Sequence, residues 1–166
     1  MEIRPATAAD WANIRDVHLR AFPTAAEANL VERLIADGDA AVSIVADACG
    51  AIVGHVLLSR MNVQADGRAL AALGLAPVAV IPERQRQKIG SALVEAAVRE
   101  ASSAGAEILF VLGEPDYYGR FGFSAETAAP FASPYAGRHF QALALAALTP
   151  IRSGAAGYAP AFADLG

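Results

Sequence analysis

The residues best suited to chemistry sit close together. Arg84, Arg86 and Lys88 alternate with Gln85 and Gln87, and Ile89-Gly90 then opens an apolar run of helical period. The first turn of a helix carries free N–H groups and the positive end of the macrodipole, so cations gathered there add to a site that favours an anion. Gly90 lets a ligand approach the backbone closely. A pyrophosphate fits such a place. The loop lacks the GxxxxGK[ST] pattern of a Walker phosphate loop and the GxGxxG of a dinucleotide fold, and no acidic residue follows where a ribose would need one. The plain alternative for any charge run is a solvated helix start, and the flanking elements must decide.

Other reactive side chains are sparse. Cys49 is the single cysteine and falls in a turn signal. His18 and His139 have no partners at metal-ligand spacing, so no metal site is expected. No Ser-His-Asp pattern stands out. Trp11, Phe121 and Phe123 read as packing residues.

The elements that must position the basic loop can be read from the pattern. "EIRPAT" reads as a first strand. Thr7 can cap a helix starting near Ala8, with Ile14, Val17, His18 and Ala21 on one face. A second helix carries Leu30, Val31, Leu34 and Ile35. "AVSIVAD" and "AIVGHVLLSRMNV" are strand-like runs parted by Ala48-Cys49-Gly50, a hairpin signal. "RALAALGLAPVAVI" reads as one further extended run, in which Pro77 calls for an edge or a bulge. "IGSALVEAAVREASSAG" is a helix, and "AEILFVLG" is a short buried strand. Strand, helix and strand from Leu70 to Gly113 make a βαβ unit with parallel strands and a right-handed crossover. The rest of the sheet is expected to be antiparallel, with "RHFQALAL" as its last strand. The basic loop then lies just past the carboxyl end of the unit's first strand.

Composition sets the frame. A chain of 166 residues suits a single domain, 1–166, large enough to bury its own core. The hydrophobic fraction is 55%, but no apolar run reaches the ~20 residues of a membrane span. The N-terminus lacks the pattern of a secretory signal, and a cytoplasmic protein is expected. Formal net charge is −4, which argues against general nucleic-acid binding and makes the basic cluster at 84–88 more informative.

Two stretches carry a family resemblance. Val80-Ile81-Pro82-Glu83 followed by Gln85-Arg86-Gln87-Lys88-Ile89-Gly90 is similar to the strand end and Gln/Arg-x-x-Gly-x-Gly/Ala loop of the Gcn5-related N-acetyltransferases (GNAT). Tyr118-Gly119-Arg120-Phe121-Gly122-Phe123 fits that family's Tyr-x-x-x-Gly-Phe element in full. The order of elements matches from residue 2 to about 147, and "VLGEPDYYGRFGF" resembles a bacterial branch of mostly undefined substrates. One departure stands out: Lys88 occupies the place of the first glycine. We expect helical φ and ψ at Lys88, with its ammonium near the phosphates or solvent.

The resemblance implies a mixed α/β fold, a largely antiparallel sheet around a central parallel βαβ unit with splayed strands. It implies acetyl-CoA as cosubstrate and a small-molecule or peptide amine as acceptor, and it leaves a homodimer open. The backbone of Val78, Ala79 and Val80 would meet the pantetheine arm. Gln85, Arg86, Gln87, Lys88, Ile89, Gly90 and Ser91 would hold the pyrophosphate. Tyr118 would lie near the thioester sulfur as general acid, a role that suits a phenol of reference pKa about 10.

Two residues are candidates for the base. Glu27 belongs to the region that covers the acceptor side in this family, and its plain reading is a solvated helix carboxylate. His55 alternates with Leu57 and Met61 on a strand face, where a lone histidine is usually a satisfied core residue. Ordered water is the third route for the proton. The expected function is therefore acetyl transfer to a primary amine by direct attack. The rival is a non-catalytic acyl-CoA-binding sensor or regulatory module.

Overall fold

The computed structural model describes residues 1–165. Its main sheet has six strands in the order β1-β2-β3-β6-β7-β9: β1 Glu2–Pro5, β2 Ala40–Ala48, β3 Ala51–Arg60, β6 Ala72–Val80, β7 Ile108–Leu112 and β9 Phe140–Ala144. Every pairing in it is antiparallel except β6 with β7. A second sheet, β5-β4-β10-β8, gathers Arg68–Leu70, Asn62–Ala65, Gly154–Gly157 and Phe131–Ala132. The helices are α1 Trp11–Ala21, α2 Ala26–Ala36, α3 Ile89–Ser103 and the single turns α4 Pro115–Tyr118 and α5 Ala125–Ala128.

The mixed sheet with its parallel β6-α3-β7 unit is the fold that the sequence leads one to expect. Three details differ. The run from Arg68 breaks at Ala71, whose N–H donates to Glu107 Oε1 at 3.0 Å and whose carbonyl accepts from the Glu107 N–H at 2.7 Å. The two halves thus enter different sheets. The β3 run likewise ends at Arg60 and restarts as β4. The strand β9 is not the last, because β10 follows it.

Alternation along β3 places the helices on opposite faces of the sheet. A Cβ on Gly54 would lie 2.9 Å from Leu93 Cδ1, so Gly54 is where α3 comes closest. Its neighbour His55 points the other way and meets His18 of α1. Ile14, Val17, Leu30, Val31 and Leu34 of α1 and α2 are buried. At the start of α1, the Asp10 carboxylate accepts the Thr7 N–H at 2.7 Å and pairs with Arg4. These contacts hold the Asp10 carboxyl well below the usual carboxylate range, the Arg4 guanidinium contributing most.

β6 outruns its parallel partner. Pairing with β7 ends at Leu75–Val111, while β6 stays paired with β3 to Val80–Gly54. Pro77 lies in the stretch that β7 has left. There Leu57 of β3 stands against both Ala76 and Pro77, between the pairs Val56–Val78 and Leu58–Leu75. The irregularity expected at Pro77 is thus a bulge beside a parting of strands, where a missing N–H breaks no ladder.

Candidate functional site

The parting of β6 and β7 opens a slot, and the backbone register says what faces it. Ile81 N–H donates to Val53 O at 2.9 Å, toward β3. By the period of two, Ala79 also turns its N–H and C=O to β3, whereas Val78 and Val80 turn theirs into the slot. The Val80 carbonyl accepts from Gln85 Nε2 at 3.0 Å.

Past Val80 the chain makes a short 3-10 turn, Pro82–Arg84, then an irregular loop into α3. Arg86 and Lys88 both have positive φ, 64° and 67°. The expectation of helical φ and ψ at Lys88 is therefore corrected: it is the N-cap of α3, left-handed, at φ 67° and ψ 13°. A left-handed residue turns the chain sharply before the helix, which is where glycine is the easy choice.

The turn has a consequence for the backbone donors. The first N–H at this end with a carbonyl acceptor is Ala92, bonded to Lys88 O at 3.1 Å, and the N–H groups of 86–91 have none among the described residues. This stretch, Gln87 apart, borders a groove of about 350 Å³ lined by Val80, Arg84, Gln85, Arg86, Lys88, Ile89, Gly90 and Ser91 on one side. Tyr117 and Arg120 complete the lining. Among the described residues, Arg84, Arg86, Lys88 and Arg120 have no carboxylate partner. In a protein of net charge −4, this is a concentration of positive charge and free N–H groups suited to an anion. Gln87 does not line the groove; its Nε2 donates to Glu83 O at 3.3 Å and braces the loop. Both Glu83 carboxylate oxygens accept from a single Arg20 nitrogen, Nη2, at 2.6 and 2.7 Å, tying the loop to the end of α1.

Tyr118 sits one turn beyond β7. An edge of its ring packs on Gly113, where a Cβ would overlap it, and its ring centre lies 5.8 Å from that of Phe123. Burial, and to a lesser degree Tyr117, pushes the phenol up to about 12, so it keeps its proton at neutral pH.

The base candidates have different surroundings. One carboxylate oxygen of Glu27 is buried without a hydrogen-bond partner. Glu27 shares the stripe of Leu30, Val31 and Leu34 at helical spacing, so it extends the inner face of α2. His55, the other candidate base, is 0% exposed and so does not reach an acceptor surface, in line with the plain reading of a lone histidine on a strand face. It is a satisfied core residue instead, with Nδ1 at 2.8 Å from His18 Nε2 and Nε2 at 2.8 Å from Ser43 Oγ. Burial lowers His55 to about 3 and His18 to about 4.

Three parts of this arrangement escape a reading of the sequence. The Ser43–His55–His18 chain joins residues far apart in sequence, and no local pattern signals it. The space needed by Tyr118 is visible only once Gly113 is seen beneath it. Arg120 lies inside the quoted Tyr118–Phe123 stretch but at one of its variable positions. No three His, Cys, Asp or Glu residues among those described are grouped as a metal site, and no helix is long and apolar enough to cross a membrane.

Comparison with known proteins points the same way. A family model described as "Acetyltransferase (GNAT) domain" matches residues 2–125. "Uncharacterized N-acetyltransferase YjhQ" of Escherichia coli K12 is 38% identical over 116 residues, 69% of this chain and 64% of that protein. "Uncharacterized N-acetyltransferase YhbS" of the same strain is 36% identical over 105 residues, 63% of this chain and 62% of that protein. The chain thus spans less than two thirds of the length of these curated relatives. Among solved structures, the E. coli GNAT family protein YhbS in complex with CoA superposes with a TM-score of 0.89 at 29% identity, covering 99% of this chain and 93% of that one. A GNAT family acetyltransferase from Brucella melitensis in complex with acetyl-CoA gives a TM-score of 0.79 at 31% identity, covering 97% of each chain.

Proposed function

The chain belongs to the GNAT acetyltransferase family, and on that premise we propose that it is an N-acetyltransferase that moves an acetyl group from acetyl-CoA to a primary amine. The observation that carries the reading is the run of free N–H groups from 86 to 91 beside four unpaired cations, at the mouth of the slot between β6 and β7. The pyrophosphate lies over those N–H groups. The pantetheine arm runs along β6, where the Val78 N–H and C=O and the Val80 N–H are free to pair with it.

The amine nitrogen attacks the thioester carbonyl carbon directly. Negative charge develops on the carbonyl oxygen, and the Val78 or Val80 N–H, a preorganised donor, is available to receive it. The C–S bond then breaks, the electron pair passes to sulfur, and Tyr118 supplies the proton. With its phenol near 12, Tyr118 is a weak acid that donates as charge builds on sulfur and does not ionise beforehand. The proton lost by the amine goes to Glu27 or to water. The unpaired Glu27 oxygen supports this role, because a buried carboxylate oxygen without a donor favours a cationic or N–H partner. A cytoplasmic location belongs to the same reading, since acetyl-CoA is available there.

Left-handed Lys88 in the place of a family glycine favours a second reading, a non-catalytic acyl-CoA-binding sensor. Thermal shift with acetyl-CoA against free ATP, followed by thiol release with a panel of amines, separates the two. The transferase reading expects stabilisation by acetyl-CoA and amine-dependent release of CoA. Stabilisation with no release from any amine sustains the sensor, and no stabilisation by acetyl-CoA removes both.

A further inference from the structure

The Tyr118 segment brings a fourth cation to the groove. After β7, the turns from Pro115 to Phe121 fold back over the start of α3. The Arg120 guanidinium carbon lies 4.8 Å from the centre of the Tyr117 ring and 5.6 Å from that of Phe121. One of its nitrogens donates to Ser91 Oγ at 3.0 Å, and the Tyr117 hydroxyl lies 3.3 Å from the same oxygen. That is the single hydrogen bond Arg120 makes within the protein among the described residues, and it has no carboxylate partner there. The remaining guanidinium donors are unspent, on a side chain already held by stacking. A planar fork held this way recognises phosphate at a small entropic cost.

We infer that Arg120 binds a phosphate group of coenzyme A, so that one segment of the chain carries both a cofactor anchor and Tyr118. The inference rests on the cofactor site proposed above. It deepens that site by adding a phosphate ligand from a second segment, across the groove lining from the Arg84–Lys88 loop. The pyrophosphate and the 3′-phosphate offer the same chemistry, and the ligand pair in the test tells them apart.

The test is calorimetric titration of wild type, Arg120→Ala and Arg120→Lys with CoA and with dephospho-CoA, at low and high salt. Arg120→Ala should weaken CoA about ten- to hundredfold, the range for a charge-assisted hydrogen bond, and flatten the salt dependence. Arg120→Lys should recover part of the loss, because it keeps the charge without the fork. If the partner is the 3′-phosphate, the loss vanishes with dephospho-CoA; if it is the pyrophosphate, the loss is equal with both ligands. Arg120→Gln removes the charge while keeping a donor for Ser91, and it gives the same reading should the alanine variant fold poorly. A folded Arg120→Ala or Arg120→Gln protein that binds both ligands like wild type, with the same salt dependence, overturns the inference alone. A wild type that binds neither ligand overturns the cofactor site and this inference with it.

Discussion

Lys88 shows how much one backbone angle decides. Its φ of 67° is a conformation that costs an L-residue roughly 1–2 kcal/mol and glycine almost nothing. Lys88→Gly should therefore raise the melting temperature of the ligand-free protein, by an amount equivalent to about 1 kcal/mol or less once the extra freedom of glycine in the unfolded chain is counted. CoA affinity should stay within a few fold, with a shallower salt dependence, because a cation is lost beside the phosphates. Calorimetry of the variant with and without CoA checks both. At Tyr118, replacement by Phe should leave CoA binding intact and lower turnover by about 10²–10⁴-fold, the usual range for losing a general acid. Gly113→Ala should lower turnover in the same direction without touching the groove, since its methyl group would displace the Tyr118 ring. Steady-state kinetics beside CoA titrations would separate these effects from lost cofactor binding. The cation cluster was legible from residue types, whereas Tyr118 stood out only through the resemblance to a family motif. The left-handed turn was not, because lysine carries no sign of positive φ, and the opposite angle was expected there.

At the level of elements, the sequence was most readable where one segment's periodicity settled the matter. The apolar stripe of α3, the continuous apolar β7 and the turn at Cys49-Gly50 all emerge from local pattern, and so does the irregularity at Pro77. What stayed hidden depends on distant partners. Nothing in "RALAALGLAP" marks Ala71 as a break; Glu107 makes it one by bonding to both sides of that residue. The strand β10 is Gly-Ala-Ala-Gly, with none of the β-branched residues that announce a strand, and it forms because β4 and β8 flank it. The close approach of α3 to β3 is a similar long-range fact. A methyl group at Gly54 would meet Leu93 Cδ1 at 2.9 Å and the Ala79 carbonyl oxygen at 3.2 Å, and a backbone oxygen in a central strand cannot move aside. Gly54→Ala should cost about 1–3 kcal/mol in a denaturant titration, as overpacking does. It should also weaken CoA, because α3 carries the groove's N–H groups.

At the scale of the whole molecule, the four groove cations lie at the exposed start of α3, while His18 of α1 and His55 of β3 are sealed together against the sheet. Both imidazoles are neutral in the fold, with pKa values lowered by burial to about 4 and about 3 from an ordinary 6.5. Below about pH 6.5 the unfolded chain takes up protons that the folded chain refuses. Stability should therefore be complete above that pH and fall as pH drops from 6.5 toward 4, with a slope of up to about 1.4 kcal/mol per pH unit for each histidine. The double variant His18→Leu/His55→Leu should flatten the slope in that window, even where its stability at pH 7 is lower. Urea titrations across the range would measure it. Asp10, held low by Arg4, adds its own loss only at more acid pH, as the carboxyl begins to protonate.

If the backbone donors at the start of α3 hold the phosphates of acetyl-CoA, those amides must sense the ligand directly. The most direct measurement is an amide NMR titration of the labelled protein with acetyl-CoA. The N–H resonances of residues 86–91, with the Val78 and Val80 amides on β6, should shift most and saturate together with the affinity seen by calorimetry. Saturable binding that leaves those amides unmoved, or shifts centred on another face of the protein, would contradict that placement of the phosphates.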